Sequence, residues 1–224
     1  MSYVLIALAA YFVVAVEIIL DKFLLSSKRV SHPAVYAFYS GVMTAFVLFL
    51  VPLPKFHMIE AAEILARIMA GIMFTYGILL LFYAINKSEA SRVMPVVGAI
   101  IPIITFIISG IFFHERLTMV QTASVFILIL GGLLISFDIP LKINKKRFFG
   151  GFYFAIAAGV LLATEASLFK YFSETDGFLN VFVWTRFGVV IGALSLLLFP
   201  AWRKYILKSF KGSPHKQKEN QITG

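Results

Sequence analysis

Glu17, Arg67, Glu165 and Arg186 each lie inside a long apolar run of the chain. An ionisable group within a membrane span costs on the order of 2.5–3.5 kcal/mol on the insertion scale, so each calls for a partner or a task. Two carboxylates flanking one cavity suit proton coupling or cation binding. Glu165 and Arg186 stand at equal distances on either side of a turn near residue 175. Antiparallel packing would bring them to one depth as a buried ion pair. Glu17 has no such arginine, because Phe38 stands at the corresponding position of its own hairpin. This asymmetry makes Glu17 the better titrating group, about seven residues or roughly 10 Å from its helix end.

A second set of residues points to a solute path. Pro95 and Pro102 share one apolar run with Gly98 between them. Proline frees backbone carbonyls, which a membrane tolerates only where protein or a water-filled cavity satisfies them. The expectation is a broken helix lining a path, with Tyr76, Tyr83, Asn86 and Trp184 facing the same cavity. Enzyme signatures are missing: there is no HExxH, GxSxG or phosphate loop, and no cysteine. His32, His57, His114 and His215 fall near helix ends or in the tail, and His114 beside Glu115 is too little for a metal site. The chain reads as a non-enzyme without metal or cofactor.

The elements that must position these groups are all helical. Hydrophobic residues make up 60% of the 224 positions and charged ones 14%, against roughly 25% charge in soluble domains. The apolar residues form seven blocks, at 3–24, 33–51, 62–85, 93–113, 119–137, 150–172 and 178–199. Each is near the length that a helix needs to cross about 30 Å of hydrocarbon. The fold class is an all-α polytopic membrane bundle of about seven transmembrane helices in a lipid bilayer, multi-pass in the plasma or inner membrane of the cell.

Sliding the chain on itself by 148 residues aligns 3–52 with 151–200 without a gap, matching Glu17 with Glu165, Lys22 with Lys170 and Pro52 with Pro200. Five helices separate the starts of the two copies, and an odd count reverses the direction of crossing. An inverted repeat of this kind recurs in secondary transporters, where two halves rock around a site near the midplane. The organisation is then a first five-helix unit over 1–137, a basic linker over 138–149, two opening helices of a second unit over 150–200, and a basic polar tail over 201–224. A third helix of that second unit would begin near residue 210, where the sequence turns polar instead. Either the chain is a fragment of a ten-helix protein, or a second chain or dimer partner completes the repeat.

The net charge of +9 forms no stripe of the sort that nucleic acid would need, and nucleic acid is not read as a partner. Fifteen Lys and Arg lie on the side reached after the odd-numbered helices and four on the other. The positive-inside rule then puts the amino terminus outside. The tail sets Trp202, Tyr205, Ile206 and Phe210 among Arg203, Lys204, Lys208 and Lys211, a composition for an anionic membrane surface or for a solvated end.

The stretch 82–136 carries an ASR loop at 90–92, Pro95 and Pro102 in the next helix, ERLT at 115–118, and paired glycines at Gly131 and Gly132. In these features it resembles the drug/metabolite transporter superfamily, in particular its EamA-like members. The resemblance implies ten helices in two inverted five-helix units, a cytoplasmic amino terminus, a central cavity against helices 1, 3, 4, 6 and 7 of this chain, and movement of small metabolites, amino acids or drugs. The leading expectation is a transporter of such small molecules, driven by an ion gradient or by exchange. The alternative is an accessory or degenerate membrane subunit that moves nothing.

Overall fold

A computed structural model describes residues 2–26, 32–51, 56, 58–88, 90–113, 118–136 and 145–210. Its helices are α1 (Ser2–Ser26), α2 (Pro33–Met43), α3 (Ala61–Lys87), α4 (Ala90–Phe112), α5 (Met119–Ser136), α6 (Lys145–Asp176), α7 (Phe178–Ser195) and α8 (Pro200–Phe210). Among the described residues, five are long and apolar enough to cross a membrane: those of α1, α3, α4, α6 and α7. The other two apolar blocks fold as the shorter apolar helices Pro33–Val47 and Met119–Gly131. The chain is thus an all-α polytopic membrane bundle.

Helix limits follow local chemistry. Before α2, His32 is extended and its imidazole accepts from the Ala34 N–H, while Pro33 opens the helix at a position whose missing N–H costs nothing. Both α2 and α7 tighten at their ends into 3-10 turns, Thr44–Leu50 and Leu196–Leu198. At each transition a hydroxyl bonds back onto the preceding turn: Thr44 Oγ1 to the Gly41 carbonyl at 2.6 Å, and Ser195 Oγ to the Gly192 carbonyl at 2.7 Å. Between α6 and α7 stands Gly177 alone, with φ +78° and ψ 150°, a backbone conformation open to glycine and strained for other residues.

One expectation is corrected here. Pro95 and Pro102 both lie inside α4, which runs unbroken from Ala90 to Phe112. A proline removes a single hydrogen bond and keeps a helical φ, so the helix continues through it. Gly98 is exposed and faces open space.

The bundle is built around α3. Along its length α6 runs antiparallel: Arg67 meets Asp176, Gly77 lies against Leu161 and Leu162, and Ala84 with Ser88 lies against Gly151. On another face α7 runs parallel to α3, and here backbones touch. A Cβ on Gly71 would strike the Thr185 carbonyl, one on Gly188 would strike the Ile68 carbonyl, and one on Gly192 would come to 2.7 Å from Thr75 Oγ1. Thr75 Oγ1 itself bonds across to the Val189 carbonyl at 3.1 Å. Lipid chains are as apolar as leucine, so helices in a membrane associate through this kind of close packing and interhelical hydrogen bonding. α4 packs on α6, with Ile100 against Gly159 and the Phe113 ring stacked on Tyr171 at 4.9 Å. α1 lies at the rim, with most of its large apolar side chains exposed.

The two hairpins meet in opposite senses. Position 41 of α2 touches α7 at Val189 and Ala193, while Phe56, further along the chain, packs on Trp184. α2 and α7 are therefore antiparallel. Val189 is the repeat counterpart of Gly41, 148 residues on, and a Cβ on Gly41 would lie 3.4 Å from the Val189 carbonyl. A position that touches its own counterpart marks the pseudo-two-fold axis of an inverted repeat.

Gly188→Val should unfold the α3–α7 crossing, because the added carbons meet backbone that cannot rotate away. A loss of about 1–3 kcal/mol is expected from overpacking of this kind, read as a lowered thermal midpoint in detergent. Gly98→Ala, with no neighbour within 4 Å, should leave the midpoint unchanged or raise it slightly.

Candidate functional site

The helix faces that remain after α3 has met α6 and α7 frame a half-open cavity of about 540 Å³. It is lined by Ile72, Met73, Tyr76, Leu79, Leu80 and Tyr83 of α3, Phe154 and Leu161 of α6, and Trp202 of α8. Tyr76 and Tyr83 share one face of α3 because seven residues complete two turns. Near the end of α3, α8 adds Trp202 to the cavity wall, one helical turn before its buried Ile206.

Aromatic groups hold α8 in place. Trp202 Nε1 donates to the Tyr83 hydroxyl at 3.0 Å, and His32 Nε2 lies 3.3 Å from the same oxygen. The His32 ring stacks on Tyr205 with centroids 4.1 Å apart and planes within 9°. Further along, Tyr39 and Ser209 share a hydrogen bond at 3.2 Å, and Phe210 meets both Phe38 and Tyr39. Deeper in the cavity, the Tyr76 hydroxyl bonds to Ser195 Oγ at 2.9 Å. Burial pushes the His32 imidazole below its ordinary pKa of 6.5, so the ring is neutral at pH 7.

No charged side chain lines this pocket, but the Lys87 ammonium lies over the ring of the lining residue Phe154, 4.4 Å from its centroid. Where α3 and α7 begin, the guanidinium of Arg67 is buried at 1% exposure. It pairs with Asp176, donates to the Glu63 carbonyl at 2.7 Å, and sits over the Phe172 ring. Arg67 thus ties the start of α3 to the turn between α6 and α7. Glu165 and Arg186 are electrostatic neighbours, as the antiparallel reading requires. They do not close into a contact ion pair: the Arg186 guanidinium lies over the rings of Phe74 and Phe182, 5.1 Å from each centroid. Trp184, on the same stretch of α7, packs on Phe56 and Phe187, and its buried Nε1 has no hydrogen-bond partner among the described residues.

Of the residues singled out in the sequence, Tyr76 and Tyr83 come together at the cavity, while Trp184 and Arg186 lie near the middle of α7, with Glu165 the electrostatic neighbour of Arg186. Glu17 joins neither group. It is exposed on α1, one turn from Asp21, which is buried and accepts from the Tyr36 hydroxyl. Asn86 is exposed near the end of α3, while Pro95, Gly98 and Pro102 stay on α4 outside the cavity lining. Sequence reasoning missed His32, Trp202, Asp21 and Asp176. Trp202, Ile206 and Phe210 recur every fourth residue, a helical stripe that could have marked α8 as a packed element.

A bundle of apolar membrane-length helices in inverted repeat defines a polytopic integral membrane protein. The EamA-like transporter family matches residues 1–137, and the chain belongs to that family. An uncharacterized protein of Methanocaldococcus jannaschii is 38% identical over 69 residues, covering 31% of this chain and 50% of that protein. The chain thus spans about half the length of the curated relative it matches. No solved structure matches. Members of the family are transporters of small molecules rather than enzymes.

Neutral His32 caps α2, so acidification should weaken the α2–α8 contact. Its folded pKa is lowered, so the stability it contributes is complete above the ordinary imidazole value and is lost as pH falls from there through the folded value. Thermal midpoints should drop between pH about 8 and about 5. His32→Asn, which keeps a capping oxygen without titrating, should flatten that dependence.

Proposed function

We propose that this chain forms the solute path of a small-molecule transporter in the plasma or inner membrane, with the cavity between α3, α6 and α8 as the chamber that holds the solute. The observation that carries the reading is a cavity of about 540 Å³, of ordinary ligand-site size, with apolar walls and two convergent tyrosines. An eleven-residue helix borders it through Trp202. A short helix held by a few aromatic contacts can leave at lower cost than a transmembrane helix, which fits a gate. Metabolites, amino acids and drugs are the substrate classes the family reading brings.

Ion coupling or exchange is the drive we assign, and Glu17 is the group we assign to it. Glu165 has Arg186 as an electrostatic neighbour, whereas Glu17 has Asp21. A second chain completing the second unit fits the relative from Methanocaldococcus jannaschii, half of which is 69 residues. That protein is therefore about as long as residues 1–137 here. The positively charged side, where α3 and α7 end and where Arg203, Lys204 and Lys208 of α8 are exposed, would face the cytoplasm and its anionic lipids.

The chain has no cysteine, so single-cysteine labelling is clean. Met73→Cys in the cavity should react with a membrane-impermeant thiol reagent added to the α8 side of reconstituted vesicles, and Leu8→Cys on the lipid face of α1 should not. A Met73→Cys thiol inert from both sides would end the chamber reading. Glu17→Gln should insert normally and lose proton-driven uptake, measured as solute accumulation under an imposed pH gradient; unchanged accumulation would remove Glu17 from the coupling.

A further inference from the structure

The two faces of α8 meet different surroundings. Its inner face is taken up by the bundle: Ile206 is fully buried, Trp202 Nε1 donates to the Tyr83 hydroxyl at 3.0 Å, and the Tyr205 ring stacks on His32. Its outer face carries Arg203, Lys204 and Lys208, all exposed. The helix, PAWRKYILKSF, contains no acid. Among the described residues none of these three cations closes an ion pair.

This charge works against the helix that bears it. Lys204 and Lys208 stand one turn apart, a like-charge spacing that opposes helix formation. Arg203 and Lys204 lie near the start of α8, at the positive end of the helix dipole, where acids are favoured. Eleven residues are too few to hold a helix in water by propensity alone. Anionic charge outside α8 would offset the repulsion and press the helix onto the bundle. Open water does not account for the whole face, because Leu207 is 46% and Phe210 59% exposed beside the cations. Cations interleaved with apolar side chains fit the boundary between phosphate headgroups and acyl chains.

The neighbouring helix ends have the same character. Lys87 closes α3 beside α8, and α6, antiparallel to α3, opens at that end with Lys145, Lys146 and Arg147. Basic residues clustered at one end of the spans draw an anionic leaflet.

We infer that α8 docks on anionic lipid through Arg203, Lys204 and Lys208, and that phosphate-bearing headgroups on this outer face keep its inner face seated on α2 and α3. α8 is then a latch held from two sides, by aromatic contacts within and by lipid charge without. Each cation near such a leaflet is worth roughly fivefold in the seating equilibrium, so lipid composition sets how often α8 lifts. The inference rests on the reading that the α8 side faces the cytoplasmic leaflet, and adds that the lipid holds the helix in place.

Ile206→Cys reports seating, because this position is covered while α8 is docked. Leu198→Cys, 79% exposed just before α8, corrects for the lower local pH at a charged surface. Each reacts with neutral iodoacetamide in nanodiscs of phosphatidylcholine, with and without phosphatidylglycerol. The rate of Ile206→Cys relative to Leu198→Cys should fall about fivefold or more when phosphatidylglycerol is present. It should recover at about 1 M salt, where the screening length is roughly 3 Å. Amide hydrogen exchange over 200–210 in the unaltered chain should slow in the same lipid, which guards against unseating by the cysteine itself. With Arg203→Gln, Lys204→Gln and Lys208→Gln together the lipid dependence should vanish, whereas Lys170→Gln, an exposed cation toward the far end of α6, should keep it. Equal relative rates in the two lipids, a lipid dependence that survives the triple neutralisation, or protection restored by inorganic phosphate in phosphatidylcholine alone would each overturn the inference. Placement is read separately: Lys204→Cys in intact cells should be closed to an impermeant thiol reagent outside. Labelling there would bring down the cytoplasmic placement while the nanodisc result still decides the latch, since both nanodisc leaflets carry the anionic lipid.

Discussion

The backbone contact between α3 and α7 sets the geometry of everything else in this bundle. In water a helix pair is driven together by apolar area, but in lipid that area is already satisfied, and association depends on how closely two backbones approach. Gly71, Gly188 and Gly192 remove the side chains that would keep α3 and α7 apart, and Thr75 adds a hydrogen bond across the gap. The crossing fixes the depth of each residue on α3 relative to α7. It puts Tyr76 opposite Ser195 and Phe74 opposite Arg186. Both contacts follow from one register, and a slip of one turn would break them together.

That register also decides where polarity is permitted. Arg67, buried, pairs with Asp176 where α3 and α7 begin, Arg186 and its neighbour Glu165 lie half-buried at mid-helix, and Asp21 is buried against Tyr36. The cavity lies further along α3 and holds only neutral polar atoms. The separation has a physical basis. A guanidinium inside the bundle is tolerable with a carboxylate, a carbonyl and an aromatic face around it, as Arg67 has, and the few groups able to provide such an environment cannot also line an apolar chamber.

The inverted repeat gives the two hairpins one plan and different uses. Their second helices meet at the pseudo-two-fold axis through Gly41 and Val189, and both close in 3-10 turns braced by a hydroxyl. The symmetry is then broken by single residues. His32 caps α2 and reaches Tyr83, whereas its counterpart Asn180 is a buried residue of α7. Phe38 packs against Phe210, whereas its counterpart Arg186 carries charge between two rings. A pair of related hairpins can thus put an aromatic contact and a half-buried charge at corresponding positions.

Much of the architecture was readable before any coordinates. The apolar blocks foretold the helices to within a few residues, because a span in lipid must satisfy its own backbone and has few ways to do so. The 148-residue repeat foretold hairpins of opposite sense, and the spacing of Glu165 and Arg186 about their turn foretold their common depth. The family was legible from the prolines, the ASR and ERLT loops and the glycine pair. The site was legible only in part. Tyr76 and Tyr83 were named for their polar tips, but a residue list cannot say which face of an apolar helix meets protein and which meets lipid, since both are lined with the same side chains. Pro95, Gly98 and Pro102 signalled a break that α4 absorbs within one continuous helix, and Glu17 was matched to Glu165 by symmetry yet lies exposed on a peripheral helix. Trp202 and His32 belong to the site through contacts spanning 119 and 51 residues. Covalent order thus determined which segments enter the membrane and in what sense. Only the packing of α3 against α7 and α8 decided which polar atoms face the cavity, because helix rotation and register in lipid are set by contacts between helices rather than by hydrophobicity.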